Sequence, residues 1–241
     1  MAIAQTNVDV GGIRRPQGRL DAGTSLDAFP GPLTERSAAH LLRRAGFEGS
    51  PDDVRRYAAM PVRSAVDSLV HFPSTARLPG ADNAYSPVTL LSQYGPRGLR
   101  DLTPEQRKGI NREVRSNEVQ SLRSVQLWWL NRMLTTPAPL QEKMTLYFHG
   151  HFTSTAIQKG VSPAMIYSQN QLFRANALGN LRELTRSVSK DPAMLVYLDN
   201  ASNFKSHPNE NYARELMELF TLGVNQYTED DVRNAARAWT G

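Results

Sequence analysis

Thr103-Pro104-Glu105-Gln106 opens the stretch that decides the fold. A hydroxyl at the cap, proline at the first helical position and glutamine three residues past the cap form a capping box. From there the spacing predicts the longest helix of the chain, to about Leu134. Leu122, Val125, Trp129 and Met133 recur on one face, and Lys108, Arg112, Arg115 and Arg123 share another. Tandem Trp128 and Trp129, set between Leu127 and Leu130, read as core rather than as a platform for a sugar or base. The basic face reads as a solvated one, with an anionic polymer as the alternative reading.

Outward from this helix the same signals repeat. Thr135-Thr136-Pro137-Ala138-Pro139 ends it and opens a helix carrying Met144, Leu146, Tyr147 and Phe148, which Gly150 is expected to break. Ser162-Pro163 starts another through Leu178, closed by Gly179-Asn180. Leu181–Val188 and the Asp191-Pro192 helix to Leu198 come next. Pro208 opens a helix to Leu222, on which Tyr212, Leu216, Leu219 and Phe220 form the expected buried stripe. Thr228 and Asp231 cap a last helix reaching Trp239. On the N-terminal side, helices begin at Thr34, at Ser50-Pro51-Asp52-Asp53 and at Pro61. Residues 73–100 are punctuated by Pro and Gly and read as a long loop insertion. Residues 1–32 read as a flexible arm. No period-two strand pattern and no internal repeat occur. The expected class is all-α: an irregular multi-helix bundle over residues 33–241, preceded by the arm.

Composition bounds the function. The 241 residues suffice for one sizeable core, and with no Cys there is neither a disulfide framework nor thiolate chemistry. A net charge of +5 and a pI near 9.6 favour acidic partners, but the excess is too small to argue for nucleic acid. No apolar run approaches a membrane span. Arg14-Arg15 is followed by Pro16-Gln17-Gly18 and no apolar segment, so it does not read as an intact export signal.

Two polar clusters could carry chemistry. His149 and His151 are separated by Gly150. On a regular helix they diverge by roughly 200°; on an extended segment they face one way and could share a divalent metal, such as Zn, Fe or Mn. The other cluster is Asp199-Asn200 with the helix from Pro208. Glu210 is the candidate proton-transfer group or metal ligand there, with Arg214 and Asp199 orienting it. Glu210, Arg214 and Glu218 are equally compatible with surface ion pairs at helical spacing. Asn200, Asn209 and Asn211 add amides suited to hydroxyl-rich ligands. No Gly-x-Ser-x-Gly elbow, phosphate loop, dinucleotide fingerprint or His-Glu-x-x-His occurs.

Several stretches together resemble one family. They are His40-Leu41-Leu42-Arg43-Arg44-Ala45-Gly46-Phe47, Leu140-x-Glu142-Lys143-Met144, His149-Gly150-His151-Phe152 and Asp191-Pro192-Ala193-Met194-Leu195-x-Tyr197-Leu198-Asp199. Pro208-Asn209-Glu210-Asn211-x-Ala213-Arg214-Glu215-Leu216-x-Glu218-Leu219-Phe220-Thr221-Leu222-Gly223 and Ala235-Ala236-Arg237-Ala238-x-Thr240-Gly241 continue the series. This set resembles the bacterial domain of unknown function 1800 (DUF1800) family over about Leu33 to Gly241. The resemblance implies a helical domain in mostly bacterial, often exported proteins, and chains that run past the equivalent of Gly241. The chain is accordingly expected to be the N-terminal portion of a longer domain.

The leading functional expectation is a hydrolase acting on an extracellular or envelope polymer. His149 and His151 would bind metal or act as acid and base, Glu210 would transfer the proton, and Arg214 and Asp199 would orient it. The alternatives are a non-catalytic module that uses the basic long helix and the 73–100 loop to hold an anionic partner, the polymer being anionic or hydroxyl-rich, and a scaffold whose polar motifs tie helices together.

Overall fold

The computed structural model describes residues 29–72, 102–156 and 159–240. The arm to residue 28 and the 73–100 insertion lie outside the described residues. Those described form ten α-helices and no strand: α1 Glu35–Ala45, α2 Pro51–Ala58, α3 Val62–Val70, α4 Pro104–Thr135, α5 Pro139–His151, α6 Pro163–Ala175, α7 Leu181–Val188, α8 Pro192–Tyr197, α9 Asn211–Glu215 and α10 Glu229–Ala238. The all-α expectation holds.

Local chemistry places the starts where the sequence does. Thr34, Ser50, Thr103 and Thr228 each accept from the backbone N–H three residues on and receive a reciprocal bond, so four capping boxes form. Ser162, Asn180 and Asp191 cap α6, α7 and α8 with side-chain oxygens.

The boundaries depart from expectation in three places, the first being α6, which stops at Ala175 rather than Leu178. Gly150 does not break α5, which continues to His151. A helical glycine costs only about 1 kcal/mol relative to alanine, and continuation carries Phe152, whose N–H bonds the Phe148 carbonyl at 2.8 Å, into the core. The helix from Pro208 starts at Asn211 and changes register: α9 passes into a π-helical turn, Leu216–Thr221. There the Leu222 N–H bonds the Met217 carbonyl at 2.8 Å, five residues back. The wider turn rotates the residues within and beyond it, so Phe220 joins Tyr212 in the core while Leu219 is 60 % exposed. A stripe drawn at constant 3.6-residue spacing placed Leu219 inside.

Three apolar clusters hold the helices. The largest joins Phe148, Phe152, Phe173, Leu184, Val188, Met194, Leu198, Tyr212 and Phe220, drawn from α5 to the π turn. Phe152 and Phe173 have no exposed surface, and burying such a ring contributes roughly 2–3 kcal/mol. A second, N-terminal cluster packs α1, α2 and α3 around Ala38, Leu42, Tyr57 and Leu69, and meets α5 through Leu140. A third seats Ala213 of α9 against Val232 and Ala236 of α10. Gly46, at the end of α1, is required by the docking of α1 on α5: a Cβ there would lie 2.9 Å from Pro139 Cβ. It lets α1 abut the start of α5, and this sets the walls of a groove between the two helices.

Candidate functional site

Apart from the basic face of α4, the polar residues singled out in the sequence fall, with their partners, into four separate places. The deepest was not expected. Glu142, fully buried on α5, accepts from Arg174 Nε at 2.8 Å and Arg174 Nη2 at 3.0 Å. It also accepts from Trp129 Nε1 at 2.9 Å and from Arg132 Nε. Each carboxylate oxygen thus takes two donors, and the charge is matched from α4 and α6. Burial acts to raise the Glu142 pKa; the Arg174 hydrogen bond and charge, then those of Arg132, outweigh it, and the carboxyl stays below its ordinary range. Arg174 also donates to Gln171 at 2.6 Å, and its guanidinium lies 5.0 Å from the Trp128 ring centroid. The tandem tryptophans are therefore walls of a buried ion cluster. Arg174 gave a signal in the sequence, since it keeps helical register with the buried Tyr167, Asn170 and Phe173.

His149 lies beside this cluster. Its ring packs against Trp129 and Phe173, both at 4.8 Å, and Asn170 Nδ2 donates to its Nε2 at 3.1 Å. Burial, and then the Arg174 charge, push its pKa down to about 4. His151 turns the other way. Its Nε2 is 3.0 Å from the Phe220 carbonyl; a carbonyl only accepts, so Nε2 carries the proton. The two imidazoles thus occupy different surroundings on a continuous helix. Among the described residues no three His, Asp or Glu side chains gather as a metal-holding set.

The acid-rich segment splits as well. Arg214 makes a two-toothed pair with Glu229 of α10, at 2.8 Å and 2.8 Å, and a bond to Glu210 at 3.1 Å. Those bonds, Glu229 first, raise the Arg214 pKa and lower that of Glu229. The cluster sits on the surface. Glu210 starts the helix whose far end reaches His151 through Phe220; ten residues of helix span about 15 Å.

Asp199 has φ +60°, the left-handed region rarely used outside glycine. Its carboxylate accepts from Lys159 Nζ at 3.1 Å and Asn211 Nδ2 at 3.4 Å. The expected amides are engaged mostly with backbone. Asn211 Nδ2 donates to the Leu198 carbonyl and Asn209 Nδ2 to that of Asp199, while Asn209 Oδ1 accepts the Asn211 N–H. Asn203, which no sequence motif singled out, is the buried centre: it donates to Asn200 Oδ1 and the Ala236 carbonyl and accepts the Asn209 N–H at 2.8 Å.

The remaining place is open. Between the end of α1 and the outer face of α5 runs a groove of about 650 Å³, lined by Arg44, Lys143, Met144, Leu146, Tyr147 and His151. Among the described residues neither Arg44 nor Lys143 makes an ion pair; the Lys143 ammonium lies 5.2 Å from the Phe47 ring centroid. Tyr147 is 57 % exposed, and its ring is parallel to that of His151, at 6° and 6.0 Å between centroids. Gly150 at the rim adds no side chain.

The sequence pattern of the family described as "Protein of unknown function (DUF1800)" matches residues 40–241, a span that takes in the buried ion cluster, both histidines, the acid-rich segment and the groove. No curated protein and no solved structure matches the chain.

Proposed function

The chain belongs to the DUF1800 family, whose description assigns no activity, and on that premise we propose that it is a binding module for an anionic polymer, held in the groove between α1 and α5. One observation carries this reading: two cations without carboxylate partners among the described residues share an open groove with an exposed aromatic ring. In the other three places the charged groups are already matched, while the basic face of α4 (Lys108, Arg112 and Arg115) lines a second hollow without ion pairs among the described residues. Glu142 has its arginines, Arg214 its two carboxylates and Asp199 its lysine. Unmatched positive charge on a protein of net charge +5 is the feature that attracts a polyanion.

A hydrolytic reading draws less support from the same geometry. His149 is packed against aromatic rings and held neutral, His151 Nε2 is committed to Phe220, and Glu210 belongs to a surface ion cluster.

The test is equilibrium binding of polyglutamate and polygalacturonate against uncharged dextran, at low and at raised salt. Binding of the charged polymers that weakens with salt, and is lost in the Arg44→Glu/Lys143→Glu double variant, is the expected result. Equal binding of dextran, or a double variant that binds as the parent does, would overturn the reading.

A further inference from the structure

The groove is more selective than its charge alone. Tyr147 and His151 lie one turn apart on α5, and each ring is braced by a neighbouring phenylalanine. Tyr147 is braced edge-on by Phe148, at 5.4 Å and 66°. His151 is braced edge-on by Phe152, at 4.6 Å and 81°, and tied by its Nε2–H to the Phe220 carbonyl at 3.0 Å. Two parallel rings braced this way present flat faces with part of their ordering cost met before any ligand arrives.

The tautomer matters too. With the proton on Nε2, the other nitrogen of His151, Nδ1, is an acceptor, with no partner among the described residues. It calls for a donor such as a hydroxyl. Arg44 offers a planar fork and Lys143 a point charge, the two donors suited to carboxylate or sulfate. Met144 and Leu146 add apolar side chains to the lining.

A ligand matching all of these has negative groups, hydroxyl donors and a ring with an apolar face. Polyphosphate lacks the ring and the donors, and polyglutamate lacks the ring and the hydroxyls. We infer that the groove takes an acidic polysaccharide, with one sugar ring against Tyr147, a hydroxyl donating to His151 Nδ1, and its carboxylate or sulfate on Arg44 and Lys143. This rests on the anionic-polymer reading and adds the class of polymer.

The experiment compares oligogalacturonate with polyglutamate of matched charge, by titration calorimetry on the whole chain. Tyr147→Ala is expected to weaken oligogalacturonate about tenfold, in line with the loss of one aromatic stacking contact, and to leave polyglutamate unchanged. Tyr147→Phe retains the ring and the binding. Tyr147 is more than half exposed, so an unchanged urea midpoint confirms that the variant is folded. The polysaccharide inference is overturned if polyglutamate binds as tightly as the sugar polymer, or if Tyr147→Ala weakens both or neither. Loss of both polymers in Arg44→Glu/Lys143→Glu separates the two levels: it sustains the anionic reading even where the sugar preference fails.

Discussion

His149 shows how much a single side chain's surroundings decide. Packed between Trp129 and Phe173, it is held neutral, with its pKa near 4 against 6.5 for a free imidazole. A depressed histidine binds its proton more readily in the unfolded chain. Its contribution is therefore complete above pH 6.5 and is lost progressively as pH falls toward 4, up to about 3 kcal/mol in all. Glu142, also depressed, loses its contribution lower still, below its ordinary value of 4.5. Asp191 is raised, chiefly by burial, and works in the opposite direction over the carboxylate range. The expected result is a melting temperature that declines between pH 6.5 and 4.5. In His149→Gln that slope flattens; a slope identical to the parent's would show that the imidazole is not the group responsible. At this scale the sequence named His149 and His151 without distinguishing them, because the neighbours that set their properties lie on α4, α6 and the π turn.

Element boundaries were largely legible, because caps and stops are local. The capping boxes at Thr103 and Thr228 are legible from residue types three apart and the helix starts at Thr34 and Ser50 from local signals, and all four positions make a capping box. The failures came where a local preference was weak or a register changed. Gly150 alone cannot end a helix that tertiary packing favours. The π turn at Leu216 involves no residue that announces it, so Leu219 was assigned to the core. Two glycines make the contrast testable. A Cβ at Gly150 meets nothing within 4 Å, and its helical backbone suits alanine, so Gly150→Ala should stabilise by roughly 0.5–1 kcal/mol. A Cβ at Gly46 meets Pro139 Cβ at 2.9 Å and the Leu42 carbonyl oxygen at 3.1 Å, so Gly46→Ala should destabilise by about 1–3 kcal/mol. Urea midpoints with unchanged slope would check both signs. The long helix α4 adds a finding that its core stripe did not suggest: Val119, Leu127, Leu130 and Leu134 form a second apolar row, each half or more exposed.

Across the whole molecule, Glu142 is the point where α4, α5 and α6 are joined by charge. Glu142→Gln leaves the buried Arg174 without its counter-charge, and removal of one buried partner costs about 3–5 kcal/mol. The loss should appear as an earlier global transition, with secondary and tertiary signals moving together. Loosening confined to α6 would contradict a joint between helices. By itself the sequence determined the helical class, the positions of the caps, the net positive charge and the family, since these depend on residue type and spacing along the chain. Tertiary structure alone decided which polar groups are spent on one another and which stay open. Arg174 and Glu142 are 32 positions apart, and His151 and Phe220 are 69 apart. Pairing across such separations is set by how helices pack, which periodicity within any one of them does not encode.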